Sequence, residues 1–246
     1  MKKLVFTAFA VIGFLFTSNC QEILVGAQIW SSKNLDVSNF RTGDPIQQAK
    51  TNLEWQKAGD NKQPAWCYYN NDATKGKLYN WYAVVDIRGL APKGWHIPSF
   101  QEWVNLIGFL GGQDIAGKKI KNSSGWDDII IIKSKTCPNC ATWSAEYRSK
   151  VACHTCKDSR LVPATKVTYS GNGSNNSGFK GLPCGKRDLV GNFEDIGKDG
   201  YFWSTKQDGN RDNGYAWGFS ISNNSNSLLK SYSNKYDGFS VRCIKD

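Results

Sequence analysis

The chain has 246 residues, with 31 lysines and arginines against 21 aspartates and glutamates, and a formal net charge of +10 at pH 7. This length suits one large domain, or one domain with an insertion. It excludes the class of small proteins that need disulfides to stabilise their core. The basic balance is compatible with acidic polymers or anionic cell surfaces as partners, although it more often serves solubility. The sequence contains no repeat and no low-complexity tail.

The first segment in chain order, residues 1–20, is predicted to be a secretory signal peptide. Two lysines supply its positive start, an apolar stretch runs from Leu4 to Phe16, and a cut is expected before Gln21. The apolar stretch is too short to remain as a membrane-spanning helix. The mature chain, residues 21–246, is therefore expected to be secreted or to lie on the outer cell surface.

A lipoprotein signal is the alternative interpretation of the same segment. Cleavage between Asn19 and Cys20 would leave Cys20 to carry a lipid, and this anchor would be the chain's contact with a membrane. Thr17 occupies a position where such signals usually carry leucine, which favours ordinary secretion. Both interpretations lead to export.

The segment after the leader predicts short strands and a surface helix. Residues 23–40 alternate loosely between apolar and polar, which is typical of edge strands. A helix is predicted over 47–58, and its polar length places it on the surface. A short buried strand is predicted over 65–69.

The strongest local signal is a helix that begins after Ser99. Ser99 and Glu102 form a capping box, in which each residue satisfies a backbone amide of the other. The glycines at 111–112 end this helix. Its predicted buried face consists of Trp103, Leu106, Ile107 and Leu110.

The carboxyl-terminal half is predicted to be mostly strand. The continuous apolar run 129–132 indicates a buried strand. Alternation with small residues predicts one large-residue face, which comprises Tyr215, Trp217, Phe219 and Ile221. In the last strand, Phe239, Val241 and Cys243 share the side that is predicted to point inward, and Arg242 lies on the opposite side.

Four motifs in the expected order carry a resemblance to a known family. They are Gly-x-Leu-Tyr-Asn-Trp-Tyr-Ala-Val at 76–84, Leu-Ala-Pro-Lys-Gly-Trp-His-Ile-Pro-Ser-x-x-Glu-Trp at 90–103, Ser-Gly-Phe-x-x-Leu-Pro at 177–183 and Gly-Phe-Ser-Val-Arg-Cys-Ile-Lys-Asp at 238–246. These motifs resemble the Fibrobacter succinogenes major paralogous domain, which is assigned here to residues 21–246. The resemblance implies a secreted or surface-attached bacterial protein.

The segment around the capped helix also resembles, more distantly, the C-type-lectin-like fold of the formylglycine-generating enzymes. This resemblance implies an α+β fold, C-type-lectin-like and mixed, with an antiparallel sheet, about two helices and long irregular loops. A shared fold does not by itself give a function.

Four cysteines form the clearest chemical pattern in the sequence. Cys137 and Cys140 form one Cys-x-x-Cys pair, and Cys153 and Cys156 form a second pair after twelve intervening residues. Such pairs suit a structural zinc ion, because each holds the metal through a tight turn, and four thiolates leave no position open for catalysis. The sequence therefore predicts a zinc-knuckle-like segment inserted over residues 134–163.

Two other interpretations of this segment stay open. In an oxidising compartment the four cysteines could pair as disulfides. Alternatively, one pair could be redox active, with a thiolate favoured by neighbouring Lys and Arg side chains. Basic residues are concentrated here, but zinc with four thiolates itself carries a charge of about −2, so nucleic-acid binding is not expected.

Three further cysteines, Cys67, Cys184 and Cys243, are candidates for one disulfide. Cys67 and Cys243 lie in predicted strands, and Cys184 stands where the family more often has a small residue. All three pairings are open, and the remaining cysteine must stay free or pair outside the chain.

No catalytic constellation can be assembled from the order and spacing of residues. His96 is predicted to be packed and hydrogen-bonded, and His154 to fill the turn inside a cysteine pair. A solvated surface position is the expected role of the acidic candidates for calcium binding or glycoside hydrolysis, which are Asp127, Asp128, Glu194 and Asp195.

A non-enzymatic binding or adhesion module is the function that these observations favour, with a polysaccharide or a surface protein as its ligand. The alternative is a secreted enzyme, either an oxidase of the formylglycine-generating type or a glycan hydrolase. Binding predicts exposed aromatic residues, an oxidase predicts two accessible thiols outside the knuckle, and a hydrolase predicts two facing carboxylates. Most of the ten tryptophans are nevertheless expected in the core.

Overall fold

The computed structural model describes most of the chain beyond the predicted signal peptide. That peptide, with Cys20, lies outside the described residues. The described ranges are 21–140, 153–154, 161–207 and 213–246, without the side chains of 132–136 and 161–165.

The amino-terminal half consists of short strands and helices. In chain order they are β1 (Glu22–Val25), β2 (Gln28–Ser31), β3 (Gln47–Gln48), α1 (Asn52–Asp60), β4 (Ala65–Tyr68), β5 (Lys77–Tyr79), α2 (Trp81–Val84), β6 (Trp95–His96), α3 (Phe100–Phe109) and α4 (Gln113–Ile120).

The carboxyl-terminal half consists of strands in its described residues. They are β7 (Ile129–Thr136), β8 (Leu161–Tyr169), β9 (Cys184–Arg187), β10 (Phe193–Ile196), β11 (Asp199–Gln207), β12 (Tyr215–Ser222), β13 (Leu228–Asn234) and β14 (Ile244–Lys245).

The central sheet has the strand order β10-β9-β11-β12-β13, in which β12 pairs antiparallel with β11 and β13, β9 pairs antiparallel with β10, and β9 pairs parallel with β11. Two smaller sheets have the orders β1-β2-β14-β6 and β3-β4-β5, and β7 pairs with β8 in a separate ribbon. The combination of mixed sheets and helices confirms the α+β class. No helix in the described residues is both long and apolar enough to span a bilayer.

Helix α3 confirms the predicted capping box. The Ser99 hydroxyl accepts a hydrogen bond from the Glu102 amide, and the Glu102 carboxylate accepts one from the Ser99 amide at 2.7 Å. The four predicted apolar residues of this helix are all buried. The helix is therefore held at its start by local hydrogen bonds and along its length by packing.

Two helix boundaries differ from the prediction. Helix α1 begins after Thr51, because Thr51 and Glu54 form a second capping box, and residues 47–48 instead pair as β3. The chain also forms a further helix, α4, directly after the glycines at 111–112, and the φ of Gly112 is 103°. The described residues thus form four helices where about two were expected.

Aromatic side chains fill the space between α3 and the central sheet. The Trp103 ring stacks on Phe219 at 5.1 Å and lies 5.6 Å from Phe202, and the Trp30 ring lies 4.9 Å from Trp103. Trp30, Trp103 and Phe202 are all fully buried. The expectation that tryptophan serves mainly the core is confirmed for these residues and for Trp203.

The segment predicted to be the last strand forms a strand only at β14, and before it isolated bridges join Phe239 to Tyr79 and Ser240 to Phe202. One side of its predicted burial pattern is confirmed and the other is wrong. Phe239, Val241 and Cys243 are buried as predicted, but Arg242 is also completely buried. Its guanidinium donates to the Asn34 side chain and to the Ser31 and Lys180 carbonyls, at 2.7–3.0 Å. The sequence pattern predicts that this charge faces water. In the structure, three oxygen acceptors take the place of that water.

The predicted burial of the apolar run 129–132 is wrong. Ile130 and Ile131 are 55% and 43% exposed, because β7 pairs with β8 alone among the described strands. A two-stranded ribbon has no second layer of its own to cover its faces. The ribbon instead carries the cysteine segment at its end.

His96 is hydrogen-bonded, as predicted, and links two parts of the chain. Its Nε2 lies 2.8 Å from Glu102 and its Nδ1 lies 2.8 Å from the Asp246 side chain. Burial by itself lowers the pKa of His96, but these two carboxylates outweigh it and raise the pKa. Burial acts to raise the pKa of Glu102, but its hydrogen bonds from Ser99 and His96 lower it overall.

Replacing His96 by glutamine is expected to have a pH-dependent effect on stability. The histidine contribution is present below its ordinary pKa of about 6.5 and is lost as the pH rises through the raised folded value, while Glu102 must stay ionised. The wild-type advantage in melting temperature should therefore be larger near about pH 5.5 than near about pH 8.5. Because the contacts of His96 with the two carboxylates are partly exposed, the loss in the free energy of unfolding should stay below about 1 kcal/mol. A melting-temperature gap that does not change with pH would contradict this account.

Two buried tryptophans offer a matched test of hydrogen bonding in the core. Both are completely buried, but the Trp203 indole donates to the Tyr79 carbonyl at 2.9 Å, whereas the Trp103 indole nitrogen has no partner among the described residues. Trp203→Phe should therefore lower the free energy of unfolding by about 1 kcal/mol more than Trp103→Phe. Urea denaturation of both variants measures the difference, and an equal loss would contradict the assignment.

Candidate functional site

Three of the four predicted zinc ligands come together at the end of the β7–β8 ribbon. Cys137, Cys140 and Cys153 are buried, and their sulfur atoms all lie within 4.8 Å of one another. Cys137 follows directly on β7, so strand pairing positions it. Cys156 lies outside the described residues.

The spacing of these sulfur atoms suits a metal better than a bond between Cys137 and Cys153. Their sulfurs are 3.8 Å apart, whereas a disulfide holds its sulfurs at about 2.05 Å. Tetrahedral zinc with bonds of about 2.3 Å places its thiolate sulfurs about 3.8 Å apart. The three close, buried thiols can therefore hold a metal ion. His154 is exposed, as expected for a residue that fills the turn.

The three remaining cysteines are buried in the main domain. Cys67 and Cys184 are free cysteines, so the disulfide considered among Cys67, Cys184 and Cys243 does not form in any of its three pairings. Burial raises the pKa of Cys67 to about 11, against a smaller opposite effect of Arg187, and burial also raises the pKa of Cys184. These two thiols are therefore held in the protonated form.

The acidic candidates lie in two short segments, 127–128 and 194–195, which adjoin where the Asp127 amide donates to the Gly197 carbonyl at 2.8 Å. Asp127 and Asp128 are exposed in the turn before β7. Glu194 forms an ion pair with Lys186 at 3.1 Å, and the Asp195 carboxylate accepts a hydrogen bond from the Tyr201 hydroxyl at 2.8 Å. Glu194 and Asp195 are thus engaged in local interactions, as the surface interpretation predicts.

A row of aromatic rings crosses the outer end of β12 and β13, and we call it the aromatic strip. It consists of Phe100, Tyr215, Trp217 and Tyr232. Tyr215 stacks on Tyr232 with centroids 5.0 Å apart, Tyr232 lies 5.1 Å from Trp217, and Trp217 lies 5.6 Å from Phe100. Tyr215 and Tyr232 are 41% and 44% exposed.

Strand register and helix packing explain why the strip is exposed. Trp217 pairs directly with Tyr232 across β12 and β13, so both side chains project from the same face of the sheet. Further along this face, Phe219 and Ile221 are buried in the same cluster as Trp103 of α3 and Ala116 of α4. Phe100 is the first residue of α3, so the cover ends where the aromatic strip begins.

Two lysines lie over one end of the aromatic strip. The Lys206 ammonium is 4.6 Å from the Phe100 ring centroid, and the Lys230 ammonium is 5.4 Å from the same centroid. Lys206 lies on β11 and Lys230 on β13, on either side of β12. The strip therefore combines exposed ring faces with positive charge.

The predicted alternation over 215–221 includes part of the aromatic strip but does not separate its exposed rings from the buried residues beside them. It grouped Tyr215 and Trp217 with Phe219 and Ile221 on one large-residue face, and missed Phe100 and Tyr232. The spacing of Leu228, Lys230 and Tyr232 at every second position was the available signal for the second strand. The pairing of two strands, which no single stretch encodes, brings these rings together.

A family comparison agrees with the sequence motifs. Residues 23–245 match the Fibrobacter succinogenes major domain, which covers both the central sheet and the cysteine segment. Comparisons with curated proteins and with solved structures gave no match. The chain belongs to the Fibrobacter succinogenes major domain family.

Proposed function

We propose that the protein is an exported, non-enzymatic binding module that holds a polysaccharide on the aromatic strip. The observation that carries the proposal is the exposure of Tyr215 and Tyr232 within a continuous row of rings. An exposed apolar patch with polar edges is a frequent mark of a binding site. Tyrosine and tryptophan suit this role, because each presents an apolar face and a polar group.

The rings are arranged before any ligand arrives. The Tyr232 hydroxyl accepts a hydrogen bond from the Asn213 side chain at 2.8 Å, while its ring contacts both Tyr215 and Trp217. Side chains that are already ordered lose little conformational entropy on binding. The flat faces of sugar rings carry C–H groups, which can pack on such a surface, and their hydroxyls can reach the polar edges.

The alternative enzymatic functions receive less support from the described residues. An oxidase would need accessible, reactive thiols, but Cys67 and Cys184 are buried and their pKa values are raised. A hydrolase would need two carboxylates poised across a cleft, whereas Glu194 and Asp195 are engaged by Lys186 and Tyr201. Stacking on a sugar requires neither group.

Export and attachment belong to the same proposal. The predicted signal peptide sends the module out of the cytoplasm, and Cys20 would anchor it if the signal is of the lipoprotein type. A secreted module would bind a soluble or cell-wall polysaccharide, and an anchored one would attach the cell to it. A C-type-lectin-like build remains part of the proposal.

We further propose that the cysteine cluster holds a structural zinc ion, with Cys156 as the fourth ligand. The 3.8 Å separation of the Cys137 and Cys153 sulfurs supports this metal and a tetrahedral arrangement. The zinc would close the end of the β7–β8 ribbon, which has little apolar cover of its own. Binding energy of the metal would then serve as folding energy for residues 134–163.

Removing one ring of the aromatic strip should weaken polysaccharide binding. Tyr232→Ala takes away the ring that contacts both neighbours, so affinity should fall at least about tenfold, equivalent to about 1.4 kcal/mol. Tyr169→Ala is the matched control, because Tyr169 is 44% exposed but lies on the ribbon. Affinity electrophoresis against a panel of soluble polysaccharides measures both variants. Equal affinities for the two variants, or capture of a surface protein instead of any polysaccharide, would contradict the proposal.

Cys140→Ser should remove the zinc and loosen the inserted segment while leaving the main core intact. The purified wild type should contain one zinc per chain, with its knuckle thiols unoxidised. The variant should lose the metal and become sensitive to proteolysis within residues 134–163, while the core around Trp81 stays resistant to proteolysis. Cys184→Ala, outside the knuckle, should retain the zinc. Bridged thiols without metal, or equal loss of the segment and the core, would contradict this proposal.

A further inference from the structure

The two lysines at the aromatic strip form an arrangement that the packing of the rings does not require. Lys206 and Lys230 come from strands on opposite sides of β12, and both ammonium groups lie over the one ring of Phe100, at 4.6 Å and 5.4 Å. Because both distances are measured to the same centroid, the two ammonium groups lie no more than about 10 Å apart. This separation is about one Debye length at 0.1 M salt. Their positive charges therefore reinforce each other at this end of the strip.

Neither lysine is neutralised within the described part of the chain. The ion pairs found there join other residues, such as Lys186 with Glu194 and Lys77 with Asp36. The Phe100 ring attracts each ammonium group through its negative face, but it does not cancel either charge. Two like charges held together are unfavourable, and an anion placed between them relieves that repulsion.

We infer that the polysaccharide bound by the aromatic strip is acidic, with a carboxylate or sulfate group placed at Lys206 and Lys230. This inference rests on the proposed function and adds the chemical class of the ligand. Sugar rings would lie on Tyr215, Tyr232 and Trp217, and the acidic group would extend past Trp217 to the lysine pair. A neutral chain would gain the stacking contacts alone, so the lysines determine the preference for charge.

The direct test compares neutral and acidic polymers that share a backbone. Suitable pairs are hydroxyethylcellulose and carboxymethylcellulose, methyl-esterified and free polygalacturonate, and dextran and dextran sulfate. The wild-type protein should bind the acidic member of at least one pair about tenfold more tightly, and added salt should reduce this preference because the lysines are exposed. The carboxylated and sulfated pairs distinguish the two sources of the anion.

Matched variants separate the lysine pair from the general basic charge of the protein. The double variant Lys206→Gln and Lys230→Gln should bind both members of the pair equally, at the affinity that the wild type has for the neutral one. The control, Lys33→Gln with Lys57→Gln, removes the same charge from exposed positions after β2 and on α1 and should retain the tenfold preference. Circular dichroism and melting temperature confirm that both double variants fold.

The possible failures have different meanings. An acidic preference that persists in the Lys206 and Lys230 variant, or falls equally in the control, would overturn the inference while the proposed function stands. Equal wild-type affinity for the acidic and neutral members would do the same. Failure to bind any of the polymers, or binding that Tyr232→Ala leaves unchanged, would overturn the proposed function itself.

Discussion

The packing of Trp103 against the central sheet is the contact on which the rest of the structure depends. The capping box of Ser99 and Glu102 fixes where α3 begins, and the helix then presents Trp103 to Phe202 and Phe219. Burial of these rings supplies a large part of the stability of the domain, because each removes a large apolar surface from water. Strand β1 and helix α4 pack onto the same cluster through Val25 and Ala116.

The same packing also creates the proposed binding surface. Helix α3 starts at Phe100. It covers the part of the β12–β13 face that contains Phe219 and Ile221, and it leaves the part that contains Tyr215 and Tyr232 open. Rings that would be core residues under a longer helix are exposed at Tyr215 and Tyr232. Since these rings stand on paired strands, their positions are as rigid as the sheet, and a ligand can bind without first ordering a loop. The cysteine segment lies at the end of a different element, the β7–β8 ribbon, so metal and ligand have separate roles.

Sequence could predict the features that depend on neighbours in the chain. The capping box at Ser99, the alternation from Tyr215 to Ile221 and the family motifs are of this kind, and the proximity of Cys137, Cys140 and Cys153 follows from their short spacing. It could not predict features set by distant contacts. The burial of Arg242 depends on acceptors from Asn34, Ser31 and Lys180. The exposure of Ile130 depends on a missing third strand in the described sheet, and the aromatic strip depends on the pairing of β12 with β13.

The most direct measurement of the central claim is side-chain footprinting of the protein with and without a bound polysaccharide. Carbene labelling followed by mass spectrometry reports which side chains the ligand shields. The account predicts protection of Tyr215, Trp217 and Tyr232, with unchanged labelling of Tyr169 and Leu24 on other exposed surfaces. Protection centred on the ribbon or on the face around Leu24, with the aromatic strip labelled as before, would contradict it.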